Sequence, residues 1–264
     1  MQTRETNSLA LMPDFLSTAW ATPGLIWLVM TIAVAGIVRG FAGFGTALIF
    51  VPIANIFLSA TDVVAVTMLT GLGSMAALLP RALKTAEIKD VSLMGAAAIL
   101  TVPFGLWLLY MLDQVTIRWA ATIIATVMLT ALVFGWRYKG LIDATRMLGI
   151  GATAGVFGGM TGLTGPVVIL FYLASGARAA IVRANTILFL AMLDVVIILN
   201  MLVSGLLTLR VLGIAIVLTV PYFLSSKVGQ SMFSPDYEKI YRAVAYGVIA
   251  LAVLTGLPIW SEGH

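Results

Sequence analysis

The sequence predicts an all-α polytopic membrane protein made of two inverted repeats, each with about four hydrophobic segments and each opening on a glycine-broken helical hairpin. Three observations predict it. Of 264 residues, 61% are apolar and 10% charged, with a mean hydropathy of +1.09; soluble domains carry roughly 25% charged residues. No segment shows the alternating polarity of barrel strands, which leaves helices to satisfy backbone groups in hydrocarbon. Finally, the chain repeats itself. G-I-V-R-G-F-A-G-F-G-T-A from Gly36 returns 119 residues later as G-V-F-G-G-M-T-G-L-T-G-P, so Gly36, Gly40 and Gly43 fall on Gly155, Gly159 and Gly162.

Residues 1–23 form an N-terminal segment whose Arg4, Glu5, Pro13 and Asp14 do not fit the pattern of a signal peptide. Repeat 1 then spans 24–139 and repeat 2 spans 140–264. Apolar runs lie at about 24–59, 62–80, 91–111, 117–136, 147–176, 182–204, 211–231 and 240–260. Most match the ~20 residues that cross a bilayer. The first and fifth are too long for one span, and glycines interrupt both. The elements Thr101-Val102-Pro103-Phe104 and Thr219-Val220-Pro221-Tyr222 echo each other at a spacing of 118 and are expected to kink the third and seventh runs.

Charge decides between two topologies. With eight single crossings, lysines and arginines divide eight to six, with Arg39 set aside in the broken segment. With the long runs as hairpins, one side keeps only Arg4, Arg118 and Arg210 and the other gathers the remaining eleven. Basic residues concentrate in cytoplasmic loops, so the hairpin topology is favoured, and it inverts the second half relative to the first. Both termini then lie outside, and the cell inner membrane is the expected location of this multi-pass chain. Trp107, Trp119, Trp136 and Trp260 fall near span ends, as interfacial anchors do.

The glycine breaks are the first candidate site. Interrupted helices expose N–H groups, and helix N-termini favour anions. Gly40, Gly43, Gly45, Gly159 and Gly162, with Thr46, Thr161 and Thr164 beside them, are the candidate substrate-binding positions. The competing reading is close helix packing through G-x-x-x-G, as at Gly36/Gly40 and Gly155/Gly159. Arg39 is the second candidate, since its guanidinium can grip an oxyanion through two parallel bonds; snorkelling to an interface or a structural ion pair is the alternative. Asp194, the only acid in the apolar run 182–204, is the candidate for proton coupling or for pairing with Arg39, against a plain interhelical contact. Asn185, Thr186 and Asn200 on the same run read as interhelical glue.

There is no cysteine, and the single histidine is His264. No metal-ligand cluster, cofactor motif or nucleophile–base pair stands out, so the sequence points to no enzyme, no catalytic residues, no metal and no cofactor. The net charge of +4 is spread over loops and suggests no nucleic-acid partner. The partners expected are a small anionic substrate and the lipid bilayer; nothing specifies an oligomeric state.

The duplicated segments, Gly36-x-x-Arg39-Gly40-Phe41-Ala42-Gly43-Phe44-Gly45 leading to Pro52 and Gly155-x-x-Gly158-Gly159-Met160-Thr161-Gly162 leading to Pro166, make the chain resemble the TauE/SafE sulfite-exporter family of permeases over about 25–257. The resemblance implies a secondary transporter, an exporter of small sulfur-containing anions such as organosulfonates or sulfite. It departs from perfect repetition where Ala47 stands opposite Pro166. A passive anion channel and a carrier for small carboxylates are the competing functions.

Overall fold

A computed structural model describes residues 18–134, 143–165, 167–168, 179–232 and 238–257. Among these residues the elements are helices: α1 (Leu25–Ala42), α2 (Thr46–Ala54), α3 (Ala60–Ala82), α4 (Ile88–Met111), α5 (Gln114–Val133), α6 (Ala144–Thr161), α7 (Ala179–Val203), α8 (Leu209–Met232) and α9 (Glu238–Thr255). Five stretches are long and apolar enough to cross a membrane, namely α1, α4, α5, Ile181–Val203 of α7, and α8. Large side chains such as Leu100, Phe134, Val203 and Leu251 stand exposed on the outside. In water such a surface would be costly, whereas lipid tails are as apolar as leucine. The chain is a multi-pass membrane protein.

Polar residues mark several helix starts. The Ser59 hydroxyl accepts from the Asp62 amide at 3.2 Å, Asp113 from Thr116 at 2.9 Å, and Asp143 from Arg146 at 2.9 Å. Each satisfies an amide that has no partner inside the helix. The Thr116 hydroxyl and amide hold the exposed Asp113 carboxyl below its usual range, because both bonds favour the carboxylate.

The first long run breaks where expected, between α1 and α2. Its two arms are unequal: 18 residues in α1 and 9 in α2, roughly 27 Å against 14 Å of helix. The chain nevertheless doubles back. Gly24, at the start of α1, lies against the ring of Phe57, just beyond α2. In the second long run α6 ends at Thr161, and most of its expected second arm, 169–178, lies outside the described residues, as do Trp136, Trp260 and His264.

The largest interfaces cross between the halves, α4 on α6 and α1 on α8. Their glycines reveal a matched geometry. Gly36 backs onto Tyr222 and Ser225, whereas Gly155 backs onto Ala98 and Thr101. Gly40 meets Ser226 and Gly229, whereas Gly159 meets Val102 and Gly105. Gly73 faces Thr219, and Gly95 faces Met192. One rule relates every pair: α1 and α3 map onto α6 and α7 by adding 119, and α4 maps onto α8 by adding 124. This corrects the proline echo. Pro103 and Pro221, 118 apart, sit six residues out of step in the packing, and each helix runs on through its proline.

Asn185 acts as interhelical glue, its Oδ1 accepting from the Glu87 amide at the start of α4 at 2.7 Å. Asn200 turns back instead to Val196 O in its own helix, at 2.8 Å. The hydroxyl of Thr186 is buried without a hydrogen-bond partner.

Candidate functional site

Two glycines make the break in the first segment possible. Gly43 (φ +82°) ends α1 and Gly45 (φ +103°) precedes α2, both in the left-handed region that side chains disfavour. The Gly43 amide closes α1 by donating to Arg39 O at 2.7 Å. No side chain caps α2, whose first internal bond runs from the Ile49 amide to Gly45 O at 3.1 Å. The amides of Thr46, Ala47 and Leu48 thus start a helix with no partner inside it, at the end where the helix dipole is positive.

Those three residues line a cavity together with Arg39 and Asp194. Arg39 is 7% exposed and Asp194 3%. Arg39 Nε is buried without a hydrogen-bond partner, an expensive state for a charged group unless something else occupies the site. Asp194 comes from α7 and Arg39 from α1, so the cavity brings together an acid and a cation from two apolar runs. The Arg39 charge acts on Asp194. One Asp194 oxygen rests against Gly71 of α3, where any side chain would displace it.

Hydroxyls complete the wall. Thr46 Oγ1 and Tyr222 Oη share a hydrogen bond of 2.7 Å, tying the start of α2 to α8 across 176 residues of chain. Thr67 Oγ1 donates to Val63 O at 2.6 Å, leaving its lone pairs beside the cavity. The room for water centres is about 20 Å³, where one water needs roughly 10–15 Å³. In this conformation the cavity encloses only a very small group.

The expected site residues divide into two sets. Arg39, Gly45, Thr46, Thr164 and Asp194 line the cavity. Gly40, Gly43, Gly159, Thr161 and Gly162 do not appear in its wall. A Cβ on Gly159 would stand 2.8 Å from Val102 O, so this glycine serves the α4–α6 crossing, as Gly40 serves α1 on α8. Gly43 and Gly162 close their helices with positive φ. The Thr161 hydroxyl donates to Phe157 O at 2.8 Å and accepts from the Leu163 amide at 3.3 Å.

Sequence reasoning missed Thr67, Gly71 and Tyr222. Tyr222 had a signal, because it ends the second T-V-P element, but that element read as a kink. Gly71 begins the pair Gly71/Gly73 within an otherwise ordinary run. Only the packing of α3 against α7 and α8 brings these positions to the cavity.

The cavity also sits where the halves meet. Under the 119-residue rule Gly45 corresponds to Thr164, Thr46 to Gly165 and Gly71 to Leu190, and all six line it. Its charges break that relation, since Arg39 corresponds to Gly158 and Asp194 to Met75.

A model of the family described as Sulfite exporter TauE/SafE matches residues 28–255. No curated protein and no solved structure gives a significant match.

Proposed function

The chain belongs to the sulfite exporter TauE/SafE family of membrane transporters, and from that premise we propose that it exports a small sulfur oxyanion across the cell inner membrane by alternating access. The observation that carries this reading is Arg39: a buried guanidinium with an unpartnered Nε, facing a cavity that also receives the uncapped start of α2. A guanidinium and helix-terminal amides are the two standard means of holding an oxyanion without a metal. Thr46, Thr67 and Tyr222 supply further hydroxyls on the same wall.

In this reading the two halves are inverted repeats that rock about the cavity they share. The contact rule relating α1, α3 and α4 to α6, α7 and α8 supports it, because each half grips the other through equivalent faces. Asp194 takes the coupling role. Protonated, it releases Arg39 to the anion; ionised, it competes for the same guanidinium. The matched contacts of the two halves favour a carrier over a passive channel, because alternating access needs two equivalent units that can exchange roles. A compact anion such as sulfite suits so small a cavity better than a longer organosulfonate or carboxylate.

Titration of the solubilised protein with sulfite tests the site. Wild type should bind, and Arg39→Gln should lose at least tenfold in affinity, about 1.4 kcal/mol. Equal affinity in the two proteins would remove Arg39 from the site.

A further inference from the structure

The tips of the two glycine-broken segments are sealed by different chemistry. At the first tip Arg183 of α7 donates from Nη2 to Gly40 O at 2.8 Å, and its Cγ lies 3.1 Å from where a Cβ on Gly43 would stand. Subtracting 119 from Arg183 gives Val64, and adding 119 to Gly43 gives Gly162. That second pair is indeed in contact: Val64 Cα lies 3.7 Å from the Cβ position of Gly162. One tip is closed by a valine and backbone, the other by a cation.

The cation is not isolated. Ala82 in the last turn of α3 packs in one cluster with Ala184 of α7, which brings their chain neighbours Arg81 and Arg183 to the same end of the molecule, where Arg81 stands exposed. Glu87 reaches the same end through its amide bond to Asn185, with its side chain exposed. Gly40, the partner of Arg183, follows Arg39 in the chain. Three guanidiniums therefore stand at increasing depth: Arg81 exposed, Arg183 half-buried and Arg39 buried.

We propose that Arg81 and Arg183 form an outer anion-docking site on the route to Arg39, and that the Arg183–Gly40 hydrogen bond is its latch. A guanidinium has five donors in a planar fork, so Arg183 can meet an arriving oxyanion before it lets go of the carbonyl. The bond to Gly40 O is charged on the donor side only, whereas an oxyanion adds direct attraction between opposite charges, so the anion draws Arg183 off Gly40 and frees the first tip to move. Two cations on one approach also raise the local anion concentration. The proposal rests on Arg39 being the inner site, and it assigns that site a single cationic approach, from the side where Arg81 is exposed.

The natural absence of cysteine makes a direct test available. Ala47→Cys places one thiol in the cavity wall. It is reacted from each face, in right-side-out and inside-out vesicles, with an anionic reagent (2-sulfonatoethyl methanethiosulfonate) and a cationic one (2-trimethylammonioethyl methanethiosulfonate). Rates are normalised to a free thiol. From the Arg81 face the anionic reagent should be favoured; Arg81→Gln and Arg183→Gln should each cut that preference about three- to tenfold and flatten its salt dependence. The opposite face should not respond to either change. A preference indifferent to both substitutions, a loss equal from both faces, or no labelling from the Arg81 face would overturn the proposal. Arg81 is exposed, so Arg81→Gln carries the test if Arg183→Gln does not fold. Arg39→Gln in the same background separates the two readings: preference lost from both faces upholds the inner site whatever the outer variants do, and preference retained removes it.

Discussion

A buried guanidinium nitrogen left without a hydrogen-bond partner is costly inside a membrane protein, and Arg39 Nε is one. Arg39 meets that cost beside a carboxylate and a row of helix-terminal amides, an arrangement suited to exchanging one anion for another. Asp194 is the competing anion, which yields a specific expectation. Asp194→Asn should leave exchange of labelled for unlabelled sulfite intact while abolishing its dependence on an imposed proton gradient. Flux that still follows the gradient would take the coupling role from Asp194. Both charges were legible in the sequence because Arg39 is the only charge in its apolar run and Asp194 the only acid in its own. Thr67, Gly71 and Tyr222 were not, because threonine, glycine and tyrosine are ordinary membrane-helix residues until a third helix brings them to one wall.

At the scale of elements, glycine has two separate duties here, and the sequence pattern merges them. Gly43, Gly45 and Gly162 break helices through positive φ, whereas Gly40 and Gly159 let helices from opposite halves touch backbone to backbone. The contrast is measurable in α6. Gly159→Ala forces a Cβ to within 2.8 Å of Val102 O and should destabilise the protein by about 1–3 kcal/mol. Gly149 has nothing within 4 Å of its Cβ position, so Gly149→Ala should stabilise by about 0.5–1 kcal/mol through the helix backbone alone. Thermal unfolding in detergent should order the three proteins accordingly, and equal midpoints for the two variants would contradict the assignment. The break in the first segment was readable from its glycines. The unequal lengths of its arms were not, since apolar composition continues unchanged beyond the point where α2 ends. The proline echo misled for a related reason: three matching letters fixed a spacing of 118, but backbone contact at Gly105 and Gly229 sets 124.

For the whole molecule, the repeat and the membrane class were visible in composition and in one duplicated motif. The shared cavity was not, because it depends on interfaces between the halves. The arrangement proposed for them places the loops near Lys84 and Lys239 on one side of the membrane. Single cysteines substituted for Lys84 and for Lys239 should therefore react with an impermeant thiol reagent from the same face; labelling from opposite faces would remove the inverted topology. In the proposed cycle the cavity around Arg39 carries a sulfur oxyanion alternately to the two faces. Counterflow of labelled sulfite in proteoliposomes tests it most directly. Unlabelled sulfite preloaded inside should accelerate uptake of the label by wild type and have no effect with Arg39→Gln. Uptake indifferent to preloading in wild type, or equally accelerated in Arg39→Gln, would contradict it.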